Sequence, residues 1–194
     1  IYGASDIVFE RFGHDALAIR DTLTGQDYAY NWGMFDFEQP NFYTRFLTGE
    51  TKYWMEPYAT AEFNQEYVRR NRSIRVQELA LSAVERAALL EFIVWNSAET
   101  NKYYRYDYYQ DNCATRVRDA LNRVLKGQLQ AALDTGFTNL TWRSETERVT
   151  ASNWPVYAGI ELALGRNADQ RLTQWKASFM PERLADAAAT VILR

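Results

Sequence analysis

The chain has 194 residues, with 22 Lys plus Arg against 25 Asp plus Glu, a formal charge of −3 and a sequence pI near 5.3. That balance excludes a nucleic-acid footprint, which needs basic residues clustered on one face, and no stretch approaches the roughly 20 apolar residues of a spanning helix. A chain of this size buries roughly 70% of the surface its unfolded form exposes, so residues 1–194 are expected to fold as one domain without covalent staples.

From Ile7 to Arg20 the residues alternate, with Leu17 and Ile19 on one face and His14, Ala16 and Ala18 on the other, the period of a strand. Thr22 to Gln26 contains Gly25 and reads as a turn, and Tyr28 to Trp32 as the returning strand of a hairpin. His14 therefore acquires a close neighbour on the second strand. Asn41 to Leu47, closed by Gly49, reads as a short helix. Two or more further strands are expected between Tyr53 and Leu81, one of them through Ile74, Val76, Leu79 and Leu81.

Ser82 followed by Glu85 is a capping box that opens a helix through Val84, Ala88, Phe92 and Trp95. Tyr103 to Tyr109 carries five tyrosines, a β-favouring run whose rings are expected chiefly to pack a core. Asp111 or Asn112 then caps a helix whose apolar stripe is Ala114, Val117, Leu121, Val124 and Leu125, ended by Gly127. The Ser- and Thr-rich segment 138–153 reads as a long loop, and 154–194 as a helical C-terminal part in which Pro155 and Gly165 bracket one helix and Pro181 opens the last. Strands and helices mixed without βαβ alternation define an α+β class with an antiparallel sheet.

Cys113 and His14 are the sole cysteine and the sole histidine, so a thiol–imidazole pair can form in only one way. Each alone has a plainer reading, the cysteine as a small hydrophobe and the histidine as a structural ring. Together they point to a thiol nucleophile and its base. Whichever residue is the cap, Cys113 falls in the first helical turn, where unpaired N–H groups and the positive dipole end favour a thiolate. The same N–H groups, around Asn112 and Ala114, can hold an oxyanion. Arg116, one turn on, either adds positive charge or pairs with Asp119. Asn31 is the candidate orienter of the imidazole because the hairpin brings its strand beside His14, with Asp15, Tyr30 and Asp36 as rivals. One histidine and one cysteine leave a zinc site short of ligands, and no cofactor is expected.

Phe-Gly-His at 12–14, Tyr-Asn-Trp-Gly at 30–33, Asn-Phe-Tyr-Thr-Arg-Phe-Leu-Thr-Gly at 41–49, Tyr-Asp-Tyr-Tyr-Gln-Asp-Asn-Cys-Ala-Thr-Arg at 106–116, Gly-Ile-Glu-Leu-Ala-Leu-Gly at 159–165 and Phe-Met-Pro-Glu-Arg-Leu at 179–184 together resemble the Lnb N-terminal periplasmic family of bacterial envelope proteins. The order His then Cys is also similar to circularly permuted papain-like enzymes of the NlpC and lecithin retinol acyltransferase-like group. The resemblance implies a permuted papain-like core with a nucleophile helix and a helical C-terminal addition. It implies cysteine-dependent acyl transfer through a thioester, with Cys113 as nucleophile and His14 as base, in the periplasm or cell envelope. The implied partners are a lipid or acylated substrate and a lipoprotein acceptor, with contact to a membrane surface through segments outside this sequence. Two rivals accompany that reading: a thiol amidase or peptidase on cell-wall peptides, and an envelope binding module without chemistry.

Overall fold

The hairpin forms, but its first strand is shorter than the alternation from Ile7 to Arg20 suggests: Glu10 to Phe12 turn, His14 bridges Tyr2, and pairing with the second strand begins at Ala16. Strand β1 (Ala16–Arg20) pairs antiparallel with β2 (Asp27–Met34), setting Ala16 opposite Asn31 and Leu17 opposite Tyr30. The computed structural model describes residues 1–7, 10–36, 38, 40, 45 and 50–192; the helix expected at 41–47 lies, Arg45 apart, outside the described residues. Strand β3 (Lys52–Ala59) pairs with β2, and β4 (Tyr103–Arg105) with β3, which completes a four-stranded sheet in the order β1-β2-β3-β4.

Between Tyr53 and Leu81 the expectation of several strands is corrected. After β3 the chain enters helix α1 (Thr60–Arg69), and Ile74 makes a single bridge to Tyr2 while 75–81 runs on without a strand partner. The β-branched residues that suggested a strand lack a ladder to join, and Val76 is 81% exposed. The tyrosine run is likewise a strand only as far as Arg105. Asp107 ends it by accepting hydrogen bonds from the Tyr109 and Gln110 N–H groups, an Asx turn that diverts the backbone.

Helix α2 (Ala83–Ser97) carries the capping box expected at Ser82 and Glu85. Helix α3 (Cys113–Val124) is capped by Asn112, and Gly127, at a left-handed φ of 86°, follows its end and opens α4 (Gln128–Leu133). Segment 138–153 is not a loop. It forms β5 (Phe137–Thr141) and α5 (Trp142–Thr150), because the Thr141 hydroxyl accepts the Ser144 N–H and starts a helix. The remainder is only partly helical: α6 (Trp154–Ala163), a 3-10 turn, β6 (Arg171–Thr173) paired with β5, α7 (Gln174–Ala177) and α8 (Pro181–Val191).

The architecture is α+β with an antiparallel sheet. One core joins the sheet to α3: Val117, Leu121 and Val124 pack with Leu17, Trp32 and Met55 of the strands, Leu89 and Ile93 of α2, and Leu184 and Ala188 of α8. This packing sets the start of α3 against the beginning of the hairpin.

Candidate active site

Asn112 explains why α3 starts at Cys113. Its Oδ1 accepts the Thr115 N–H at 2.9 Å, its own N–H donates to Thr115 Oγ1 at 2.7 Å, and its Nδ2 donates to the carbonyls of Tyr108 at 2.7 Å and Phe179 at 2.9 Å. Both amide hydrogens are thus engaged and the residue is 4% exposed. Its side chain and its own N–H both hold the helix start, so the N–H groups left near the sulfur are those that follow it. Ala114, fully buried, contributes through its backbone N–H, which acts on the Cys113 sulfur together with the N–H groups of Asp15 and of Cys113 itself.

Asp15, the residue after His14, therefore meets Cys113 through its backbone, although the two are far apart in the chain. The His14 Nε2 lies 3.0 Å from Asn31 Oδ1, and Asn31 Nδ2 donates to the Ala29 carbonyl at 2.8 Å. The second bond fixes which end of the amide faces the ring, so an oxygen faces the imidazole and Nε2 must carry the hydrogen. That leaves Nδ1 as a lone-pair acceptor, without a hydrogen-bond partner among the described residues. The rings of Tyr2 and Phe63 flank the imidazole, each with its centroid 6.0 Å away. Asn31 is fully buried, and of its rivals Asp15 points to the sulfur with its backbone rather than orienting the ring.

Electrostatics reverse the expectation of a resting thiolate. Burial, reinforced by the Asp15 charge, pushes the Cys113 thiol up to about 12 against the pull of the three N–H groups. A helix terminus contributes roughly 0.3–2 kcal/mol. A rise from 9.0 to about 12 represents roughly 4 kcal/mol, so desolvation wins. Burial also lowers His14 to about 4, the Asn31 bond opposing it and the Ile1 ammonium and Arg72 adding to it. The resting pair is a neutral thiol and a neutral imidazole. Asp15, 4% exposed, is raised to about 7 by burial, partly offset by the Ile1 ammonium and Arg75.

Arg116 does not pair with Asp119. It pairs with Asp111 through two nitrogens, one at 2.6 Å, and lies 4.1 Å over the Tyr104 ring, while Asp119 is held by Arg118. The sequence reading overlooked the wall opposite the sulfur. Gly33, at a left-handed φ of 95°, leaves open a point that a methyl group would occupy 3.9 Å from Cys113 Cβ and 3.9 Å from the Tyr104 hydroxyl oxygen. The glycine in Tyr-Asn-Trp-Gly was the available signal. Asp15 also lines a groove of about 730 Å³ whose walls include Leu17, Leu81, Val117, Leu121 and Leu184.

Fold and site together define an α+β protein with a buried cysteine at a helix start, and a tautomer-fixed histidine–asparagine pair beside the first hairpin of an antiparallel sheet, the residue after the histidine reaching the cysteine. The chain belongs to the Lnb N-terminal periplasmic domain family, whose model matches residues 8–148. That membership assigns it to the bacterial periplasm or cell envelope. No curated protein and no solved structure matches the chain.

Proposed function

We propose that this domain is a cysteine-dependent acyl-transfer enzyme of the envelope, similar to a lipoprotein N-acyltransferase and built on a permuted papain-like, NlpC-type core. The observation that carries the reading is the Asn31–His14 hydrogen bond beside a sulfur ringed by backbone N–H groups. It supplies a base with its lone pair on Nδ1 and donors near the reacting centre.

In this mechanism the Cys113 sulfur attacks an acyl carbonyl as the S–H proton passes to His14 Nδ1. A neutral thiol makes this general-base catalysis at the moment of attack, unlike a preformed ion pair. Asn31 holds Nε2–H and so stabilises the imidazolium that forms. The first-turn N–H groups of α3 donate to the carbonyl oxygen as negative charge develops on it. Collapse expels the leaving group with the His14 proton, and the thioester then passes its acyl group to an amine or to water. The groove beside Asp15 supports a lipid donor. Its leucines, such as Leu89, Leu121 and Leu184, would take an alkyl chain, while Arg75, Gln77 and Arg86 in the same lining would take polar groups of the donor.

Intact mass after incubation with phospholipid, and separately with peptidoglycan fragments, tests the proposal against Cys113→Ala. An acyl adduct on the wild type alone, formed from phospholipid, is the expected result. Release of a new amine from muropeptide would replace the lipid donor with a cell-wall amide. Absence of any adduct or turnover would leave the binding-module rival.

A further inference from the structure

The hydroxyl of Tyr104 is buried and has no hydrogen-bond partner among the described residues. Buried hydroxyls are ordinarily satisfied, and one left open beside a nucleophile points to a group that arrives later. Its ring is held in place. The Arg116 guanidinium stacks 4.1 Å over it, clamped from behind by Asp111, and the rings of Tyr53 and Tyr106 lie 6.5 Å and 6.4 Å away.

Gly33 provides the room in front of that hydroxyl. The pairing of β2 with β3 shifts register between Trp32 and Met34, and Gly33 takes its positive φ at that irregularity. A side chain there would be strained, and its Cβ would stand in contact range of Cys113 Cβ, the Tyr104 hydroxyl and the Tyr106 ring, at 3.9, 3.9 and 3.8 Å. The space is therefore within contact range of both the Cys113 Cβ and a fixed O–H.

We propose that Tyr104 is a catalytic oxyanion donor and that Gly33 leaves open the space in which the substrate carbonyl oxygen sits between the Tyr104 hydroxyl and the first-turn N–H groups of α3. This inference rests on the acyl-transfer reading above. When the sulfur bonds to the carbonyl carbon and its proton moves to His14 Nδ1, the carbonyl π pair moves onto oxygen and takes the Tyr104 hydrogen bond. On collapse that pair reforms the C=O bond, the bond to the leaving group breaks with its electron pair, and the imidazolium proton follows the leaving group. Burial keeps the phenol protonated and able to donate throughout.

The test uses p-nitrophenyl octanoate, following p-nitrophenolate release in the first turnover and the octanoyl mass on the protein. Tyr104→Phe should slow acylation by about 10²-fold, the size of losing one oxyanion donor. Alkylation of Cys113 by iodoacetamide, a displacement that forms no oxyanion, should keep its wild-type rate. Gly33→Ala should slow acylation as well, by filling the space and straining the backbone. Wild-type acylation by Tyr104→Phe overturns the inference while leaving the acyl-transfer reading intact. A parallel loss of acylation and alkylation overturns it too, by showing a structural role. A wild type that acquires no octanoyl group, like Cys113→Ala, overturns both.

Discussion

At the scale of single residues, the site depends on which way a desolvated pair resolves its charges. The Cys113 thiol is pushed up to about 12 and the His14 imidazole down to about 4, so alkylation by iodoacetamide at pH 7 should be slower than for a free cysteine and should climb as pH rises above 9. Rates measured from pH 6 to 11 check this. A fast, pH-independent rate near neutrality would show the thiolate to be preformed. Asn31→Leu removes both the Nε2–H partner and the bond to Ala29; acylation of Cys113 should fall by roughly 10²-fold, read by the same first-turnover assay.

The neighbouring Asp15 gives a stability signature of opposite sign to that of His14. His14 stays neutral in the fold down to about 4 while the unfolded ring binds a proton near 6.5, so its effect is stability that rises with pH between those values. Asp15 keeps its proton in the fold up to about 7 while the unfolded carboxyl loses it near 3.8, so its effect is stability that falls as pH rises across that range. The two offset in the wild type. In Asp15→Asn, of these two slopes the His14 one remains, and urea midpoints should increase from pH 4.5 to pH 6.5 more steeply than in the wild type.

At the scale of elements, two capping boxes of the same grammar carry different loads. Ser82 caps an exposed helix start, and Ser82→Ala should cost about 1 kcal/mol. Asn112 is buried and also satisfies the Tyr108 and Phe179 carbonyls, so Asn112→Ala should cost about 3 kcal/mol by urea denaturation. Equal costs would show that the two extra bonds contribute nothing. Both helix starts were readable from Ser82, Glu85 and the Asp-Asn-Cys run, because a cap is a local bargain between a side chain and the next turn. The Thr141 cap was missed for an instructive reason. A Ser/Thr-rich stretch satisfies turns and helix starts with the same hydroxyls, and only the β6 partner strand, more than 30 residues away, makes 137–141 a strand first.

At the scale of the molecule, residues beyond the family match at 148 are part of the same core. Leu184 is 3% exposed and packs with the α3 stripe that carries Cys113 at its head. Leu184→Ala should destabilise the whole domain by roughly 2–5 kcal/mol in one cooperative transition. A transition that splits in two would show the C-terminal part to fold separately. The groove beside Asp15 lies between β1 and α8, so it too depends on that packing.

The sequence by itself determined a hairpin, which pairs 16–20 with 27–31, the helix that begins at Cys113, the one possible thiol–imidazole pair and the nearness of Asn31 to His14, since alternation, caps and sole occurrences are local or combinatorial facts. The tertiary structure alone decided that the thiol rests neutral, that Asn112 and Arg116 are engaged by Thr115 and Asp111, and that the Tyr104 hydroxyl and Cys113 Cβ both lie near Gly33. Burial is a property of everything packed around a residue. Desolvation, which outweighs the helix dipole here, is therefore invisible until the distant segments close over the sulfur.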